Sequence, residues 1–257
     1  MMVQFYLNIK SVWIAFERSY YTMPFMIILN ILFIAIALNQ NKLKKKYSIL
    51  IIYGICTLIQ DVIGISVILS SSQTISSSLY RLNETSITAL MFIEFVAFYS
   101  FFYIALAQKL REKKIVYKLK AYLFTSAGLM LLSALFTSLS KFLLFQGYYS
   151  VLMSLLILIP SFYYFYTLFI DPPIKNLIAE SEFWIITGIT CLHCLNIPIF
   201  AIDYYVAPRM GNAEWYSTYS ISYMAYCLLF VLFIIGFLCS KGKSKYQTNK
   251  LFSIFKR

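Results

Sequence analysis

The sequence predicts an all-α fold, an integral membrane bundle of seven helices. Three observations carry this reading. The 257 residues are 61% hydrophobic and only 12% charged, whereas soluble domains run about 45–50% apolar and about 25% charged. Seven apolar stretches each approach or exceed the roughly 20 residues that cross about 30 Å of hydrocarbon. These stretches are continuous rather than alternating, as barrel strands would be. A helix satisfies each backbone N–H and C=O within its own segment, which the lipid interior demands.

In chain order the predicted spans are 21–38, 47–70, 87–108, 121–145, 149–170, 183–205 and 217–239. Residues 1–20 form a head, 21–239 the bundle, and 240–257 a tail. In the head, Lys10, Glu17 and Arg18 interrupt the apolar run, and no small-residue cleavage site precedes Pro24. It reads as an amphipathic segment on the outer surface rather than a signal peptide. The first span closes at a turn carrying Lys42, Lys44, Lys45 and Lys46.

The second span sets Gly54, Thr57, Asp61, Gly64 and Ser71 on one stripe, small and polar enough for helices to approach and hydrogen-bond. A Ser-rich outer loop, 71–86, follows. Its Asn83-Glu84-Thr85 is a glycosylation triplet that matters only in a secretory pathway. The third span aligns Leu90, Glu94, Ala97, Phe101, Ala105 and Gln108, and a basic connection runs over 109–120. The fourth aligns Ser126, Ser133, Thr137 and Ser140. Gln146–Tyr148 reads as a tight outer turn.

The fifth span is kinked by Pro160 and stopped by Asp171-Pro172-Pro173. The sixth aligns Thr190, His193, Asn196 and Asp203, with a kink at Pro198. The outer loop Val206–Tyr216 holds Pro208 and Gly211. The seventh span aligns Tyr219, Ser222, Tyr223 and Tyr226. The tail mixes Lys241, Lys243, Lys245, Lys250, Lys256 and Arg257 with Leu251, Phe252, Ile254 and Phe255. That mixture suits a segment in the inner headgroup layer, or a disordered basic tail.

Charge sets the expected orientation. The segments 39–46, 109–120, 171–182 and 240–257 hold 17 of the 22 Lys and Arg residues. The positive-inside rule places these in the cytoplasm, with the amino terminus outside. The expected location is the plasma membrane, the inner membrane of a bacterium. The net charge of +12 then reflects topology and lipid headgroups. No connection is long enough for a basic nucleic-acid surface, so the expected partners are the bilayer and a separate signalling protein. All five cysteines lie inside spans, which gives no disulfide framework.

Two acids lie deep in spans, Asp61 and Glu94. A charge at the bilayer centre costs about 2.5–3.5 kcal/mol on insertion scales, so such residues should face inward and find partners. A rise of about 1.5 Å per residue puts Asp61 and Glu94 each roughly 20 Å from the inner edge. His193 lies roughly 15 Å up the sixth span, and Tyr223 and Tyr226 roughly 9–14 Å below the outer edge. Asp61, Glu94, His193, Asn196, Tyr223 and Tyr226 are therefore the candidate pocket.

Desolvation disfavours the charged carboxylate, and two acids close together disfavour double ionisation further. That chemistry suits a ligand pocket, a proton-linked carrier or a pH-responsive switch. The plainer alternative is structural, with both acids paired and holding helices in register. Cys191, His193 and Cys194 do not share one helix face, and a closed zinc site needs four ligands. No metal and no cofactor are expected. The seventh span has no lysine for retinal, and haem-attachment, Gly-x-Ser-x-Gly and eukaryotic receptor signatures are absent. Enzyme chemistry is the weaker reading, since only the deep His193 set offers a base.

Asp61-x-x-Gly64, Ile93-Glu94 with the aromatic run Phe98 to Tyr103, and Glu182-Phe183-Trp184-Ile185-Ile186-Thr187-Gly188 resemble a family of uncharacterised seven-span proteins of the Bacteroidota. The resemblance covers most of the chain, through short motifs. The chain departs from the family pattern at Ser181-Glu182, where a proline often precedes the Phe-Trp pair, and at Cys191-Leu192, where a tyrosine is common. Such proteins are often encoded near sensor histidine kinases, so the resemblance implies signalling by association and assigns no role to any residue. Without it, Phe183 and Trp184 are simply interfacial aromatics.

The functional expectation is a sensory or signalling membrane protein whose polar pocket biases helix packing. A small-molecule or proton-coupled carrier and a lipid-modifying membrane enzyme are the alternatives.

Overall fold

The computed structural model describes residues 23–40, 46–70, 77–109, 113–139, 143–170, 177–205 and 221–239. These residues form helices and no strand. In order they are α1 (Met23–Leu38), α2 (Ser48–Ser70), α3 (Ser77–Lys109), α4 (Lys113–Leu139), α5 (Leu143–Ile170), α6 (Ser181–Tyr205) and α7 (Ile221–Cys239), with a short 3-10 turn, Leu177–Ala179, before α6. By length and composition, α2, α3, α5, α6 and α7 can each cross a membrane. The apolar α1 is shorter, and α4 runs for 27 residues.

The ends differ from the sequence expectation in two places. Helix α3 begins at Ser77, inside the segment expected as an outer loop. Hydropathy marks where lipid starts, whereas a helix extends as long as its backbone bonds continue, and Ser77–Ser86 is polar helix. The expected turn at Gln146–Tyr148 lies within α5, whose described residues start at Leu143. A single glycine, Gly147, does not end a helix whose i to i−4 ladder is intact. The basic connection over 109–120 is also largely helical, because α4 starts at Lys113. The head, the tail, the lysines at 42–45, the proline pair 172–173 and the loop 206–216 lie outside the described residues. So do Ser71, Ser140 and Tyr219, and the side chains of Asn83, Glu84, Gln108, Ser133, Thr137 and Asp203.

Helix α3 is the axis of the bundle. It packs on α2, α4, α5 and α6 and reaches α7 through Phe98 and Phe233, whose ring centroids are 6.3 Å apart. Phe33 of α1 is fully buried and packs on Phe230, Phe233 and Phe237 of α7. Two glycines set close approaches. A Cβ at Gly54 would stand 3.0 Å from Asn30 Oδ1 on α1. A Cβ at Gly236 would stand 2.9 Å from the Ser181 carbonyl oxygen, so α7 meets the start of α6 almost backbone to backbone.

Outward faces are apolar. Ile52, Ile55, Ile59 and Val62 line the exposed side of α2, and Leu155, Ile159, Phe162 and Phe169 that of α5. The inner faces carry aromatic rings together with buried Asn30, Thr57, Asp61, Glu94, Ser154, His193 and Asn196. Apolar outward faces, around a core that holds buried polar groups among its rings, depart from the ordinary arrangement of a soluble bundle.

Pro160 organises one crossing. Proline has no N–H, so the carbonyl four residues earlier loses its helical partner. That carbonyl belongs to Leu156, and it accepts from Tyr99 of α3 at 2.8 Å and from Tyr122 of α4 at 3.4 Å. Tyr99→Phe should therefore lower stability by about 1 kcal/mol. In a Pro160→Ala background, where the N–H of the new alanine can take the same carbonyl, Tyr99→Phe should cost clearly less. Equal losses in both backgrounds, measured by unfolding in detergent, would refute this account of the crossing.

Candidate functional site

The buried polar residues gather around Glu94, at mid-length in α3. Its carboxyl is 1% exposed and faces α2, α6 and α7. Oε2 accepts from Tyr53 of α2 at 3.0 Å and from Tyr226 of α7 at 3.2 Å. Oε1 faces His193 Nε2 of α6 at 3.7 Å. Neither Oε1 nor Nε2 has a hydrogen-bond partner among the described residues. The other ring nitrogen, His193 Nδ1, meets Ser154 Oγ of α5 at 3.1 Å. The edge of the imidazole also packs against Phe98 at 5.7 Å between centroids. Asn196, one turn beyond His193, hydrogen-bonds the Tyr226 hydroxyl. Its Oδ1 has no partner among the described residues.

Helical spacing explains the convergence. His193 and Asn196 are three residues apart and share one face of α6. Tyr226 faces the same side from α7, one turn beyond Tyr223. Five helices contribute one or two groups each, so the centre exists only when the bundle is assembled.

Among the candidates read from sequence, the structure brings Glu94, His193, Asn196 and Tyr226 together. Asp61 and Tyr223 stand to one side, within electrostatic reach of each other. Asp61 is 7% exposed, and its Oδ2 has no hydrogen-bond partner among the described residues. No hydrogen bond joins it to Glu94 among the described residues; Tyr226 lies within electrostatic reach of both acids. The expectation of two acids at one level was drawn from depth alone. The partner that Glu94 takes from α2 is Tyr53, eight residues before Asp61 and so about 12 Å away along the helix axis, which places Asp61 beyond the level of the Glu94 carboxyl.

Two site residues were not singled out from sequence. Tyr53 sits four and eight residues before Thr57 and Asp61, on the stripe already read as inward. Ser154 belongs to a run of Ser150, Ser154 and Ser161 at helical spacing, all fully buried. Each had a periodic signal, but hydroxyls in an aromatic-rich span give a weak one.

Ser154, His193 and Glu94 stand in a row that resembles a nucleophile, a base and an acid. Ser154 is fully buried, however, and the His193–Glu94 separation of 3.7 Å exceeds a hydrogen bond. The row reads as polar support for the centre, not as acyl-transfer machinery. No group of three or more His, Cys, Asp and Glu residues gathers among the described residues. The five cysteines are free.

A second polar cluster ties one end of the bundle. Glu182 in the first turn of α6 accepts from Lys46 Nζ at 2.7 Å and from the Tyr47 hydroxyl at 2.5 Å. Ser181 Oγ donates to its other oxygen at 3.2 Å. A carboxylate at a helix start is favoured by the helix dipole. Trp184 Nε1 donates to the Ile178 carbonyl at 2.7 Å, which fixes the 3-10 turn against α6. Sequence reading treated Lys46 as a topology signal and Trp184 as an interfacial ring. The structure makes Lys46 the ion-pair partner of a residue 136 positions away.

No family model, curated protein or solved structure matches the chain.

Proposed function

We propose that this chain is a seven-span protein of the plasma membrane, amino terminus outside and carboxyl terminus cytoplasmic. It acts as a sensor or signalling protein. Occupancy of the Glu94–His193 centre biases the packing of α3 against α6, and the basic cytoplasmic face reports the change to a separate protein. The connections are too short to fold into an effector domain, so a cytoplasmic or membrane partner is required. The resemblance to seven-span proteins encoded near sensor histidine kinases points the same way.

One observation carries the reading: Glu94 Oε1 and His193 Nε2 oppose each other, fully buried, with no hydrogen bond between them. Unmatched polar atoms in an apolar interior are expensive. Ionisable residues at this depth mark a functional site more often than a structural one. Closing the gap around a shared proton, or filling it with a hydrogen-bond donor, satisfies both atoms. Either event changes the distance between two helices that meet along the bundle axis.

A carrier is the second reading. It is favoured by Tyr226, which hydrogen-bonds Glu94 and stands within electrostatic reach of Asp61. Reconstituted vesicles separate the two. A sensor should give no flux of protons, alkali cations or small amines, while a spectroscopic probe near Lys46 and Glu182 should differ between the natural chain and Glu94→Gln. Flux abolished by Glu94→Gln would establish the carrier instead. A probe that does not respond would remove the switch. A reporter fused after Arg257 should be active only if that end is cytoplasmic.

A further inference from the structure

The centre is rich in acceptors and short of donors. Tyr53 and Tyr226 both give their hydroxyl hydrogens to Glu94 Oε2. Asn196 gives an N–H to the Tyr226 oxygen and leaves its own Oδ1 as an acceptor. With the imidazole hydrogen on Nδ1 and donated to Ser154 Oγ, His193 Nε2 presents a lone pair. Glu94 Oε1, His193 Nε2 and Asn196 Oδ1 are then three buried acceptors, and none has a donor among the described residues.

Charge adds a second, independent demand. Glu94 is fully buried, and no lysine or arginine stands within ion-pair distance of it among the described residues. A buried carboxylate in this setting is stabilised by a proton of its own or by a positive charge nearby.

We propose that the space between Glu94 and His193 binds one small cation that carries hydrogen-bond donors. The shared chemistry is a unit positive charge on N–H or O–H groups, which an ammonium ion, a methylammonium ion or a proton can supply. The 3.7 Å between Oε1 and Nε2 lets one nitrogen or oxygen, set off the line joining them, lie within hydrogen-bond distance of both. Its donors meet both atoms. The titratable groups facing the site are Tyr53 and, by way of Tyr226, Asp61 from α2; His193 from α6; and Tyr226 with Tyr223 from α7. The α5 helix contributes the neutral Ser154. Asp61 and Tyr223 lie toward the end where α2 finishes and α7 begins. This assignment names the ligand class of the centre described above and rests on that reading of it.

The test is thermal unfolding of the full chain in detergent or nanodiscs, at constant ionic strength. In one arm, ammonium, methylammonium, potassium and choline chlorides are compared at fixed pH. In the other, pH is lowered in choline chloride. Ammonium or methylammonium should raise Tm saturably, and potassium should not. Glu94→Gln, which keeps the shape of the side chain, should weaken this response about tenfold or more. Asn196→Leu should weaken it less. A Glu94-dependent gain on acidification, with no ammonium effect, identifies the proton as the natural source. If neither arm gives a change, or Glu94→Gln responds as the natural chain does, the site binds no cation and the proposal is overturned. Cation binding can persist in a protein that signals to nothing, and signalling can persist without it. Failure here is therefore distinct from failure of the sensor reading.

Discussion

Replacing Glu94 with leucine should destabilise the folded chain by about 2–4 kcal/mol, whereas Glu94→Gln should leave its stability unchanged or raise it. The leucine removes the acceptor for two buried hydroxyls at once, Tyr53 and Tyr226. Each orphaned donor costs about 1–3 kcal/mol, toward the lower end in a bilayer, where the unfolded reference also finds partners. The glutamine oxygen can still accept from both tyrosines. Its amide then points at His193 Nε2 and supplies the donor that the centre lacks. Reversible unfolding by SDS titration, followed by circular dichroism, reads the difference. A glutamine variant as unstable as the leucine variant would mean that the carboxylate charge itself holds the centre together.

The second large effect is expected where α7 crosses the start of α6. Gly236→Val should cost about 3 kcal/mol and Gly236→Ala about 1–2 kcal/mol. A Cβ there meets the Ser181 carbonyl oxygen at 2.9 Å and Ile185 Cγ1 at 2.9 Å. The first of these is backbone and cannot rotate away, so the helices must separate. Separation would also disturb Glu182, the next residue, and its bonds to Lys46 and Tyr47. Gly128→Ala is the matched control. Nothing lies within 4 Å of its added carbon, so the substitution should stabilise α4 by about 0.5–1 kcal/mol. If both alanine variants behave alike, close packing at Gly236 is not what joins these two helices.

Local chemistry alone set the helical class and the burial of Asp61 and Glu94. An apolar run of membrane length forms a helix because its backbone must satisfy itself, and a polar residue within that run turns inward because lipid offers it nothing. Glu94, His193, Asn196 and Tyr226 were legible for that reason. Which inward residues meet was settled by the packed bundle. Packing paired Glu94 with Tyr53 rather than with Asp61, gave His193 a serine from α5, and passed the carbonyl freed by Pro160 to Tyr99 of α3. It also made Lys46 a partner of Glu182 across the chain. Those contacts depend on how the described helices rotate and cross, to within an ångström or two. Helical periodicity gives a face, and only the assembled bundle gives the neighbour on it.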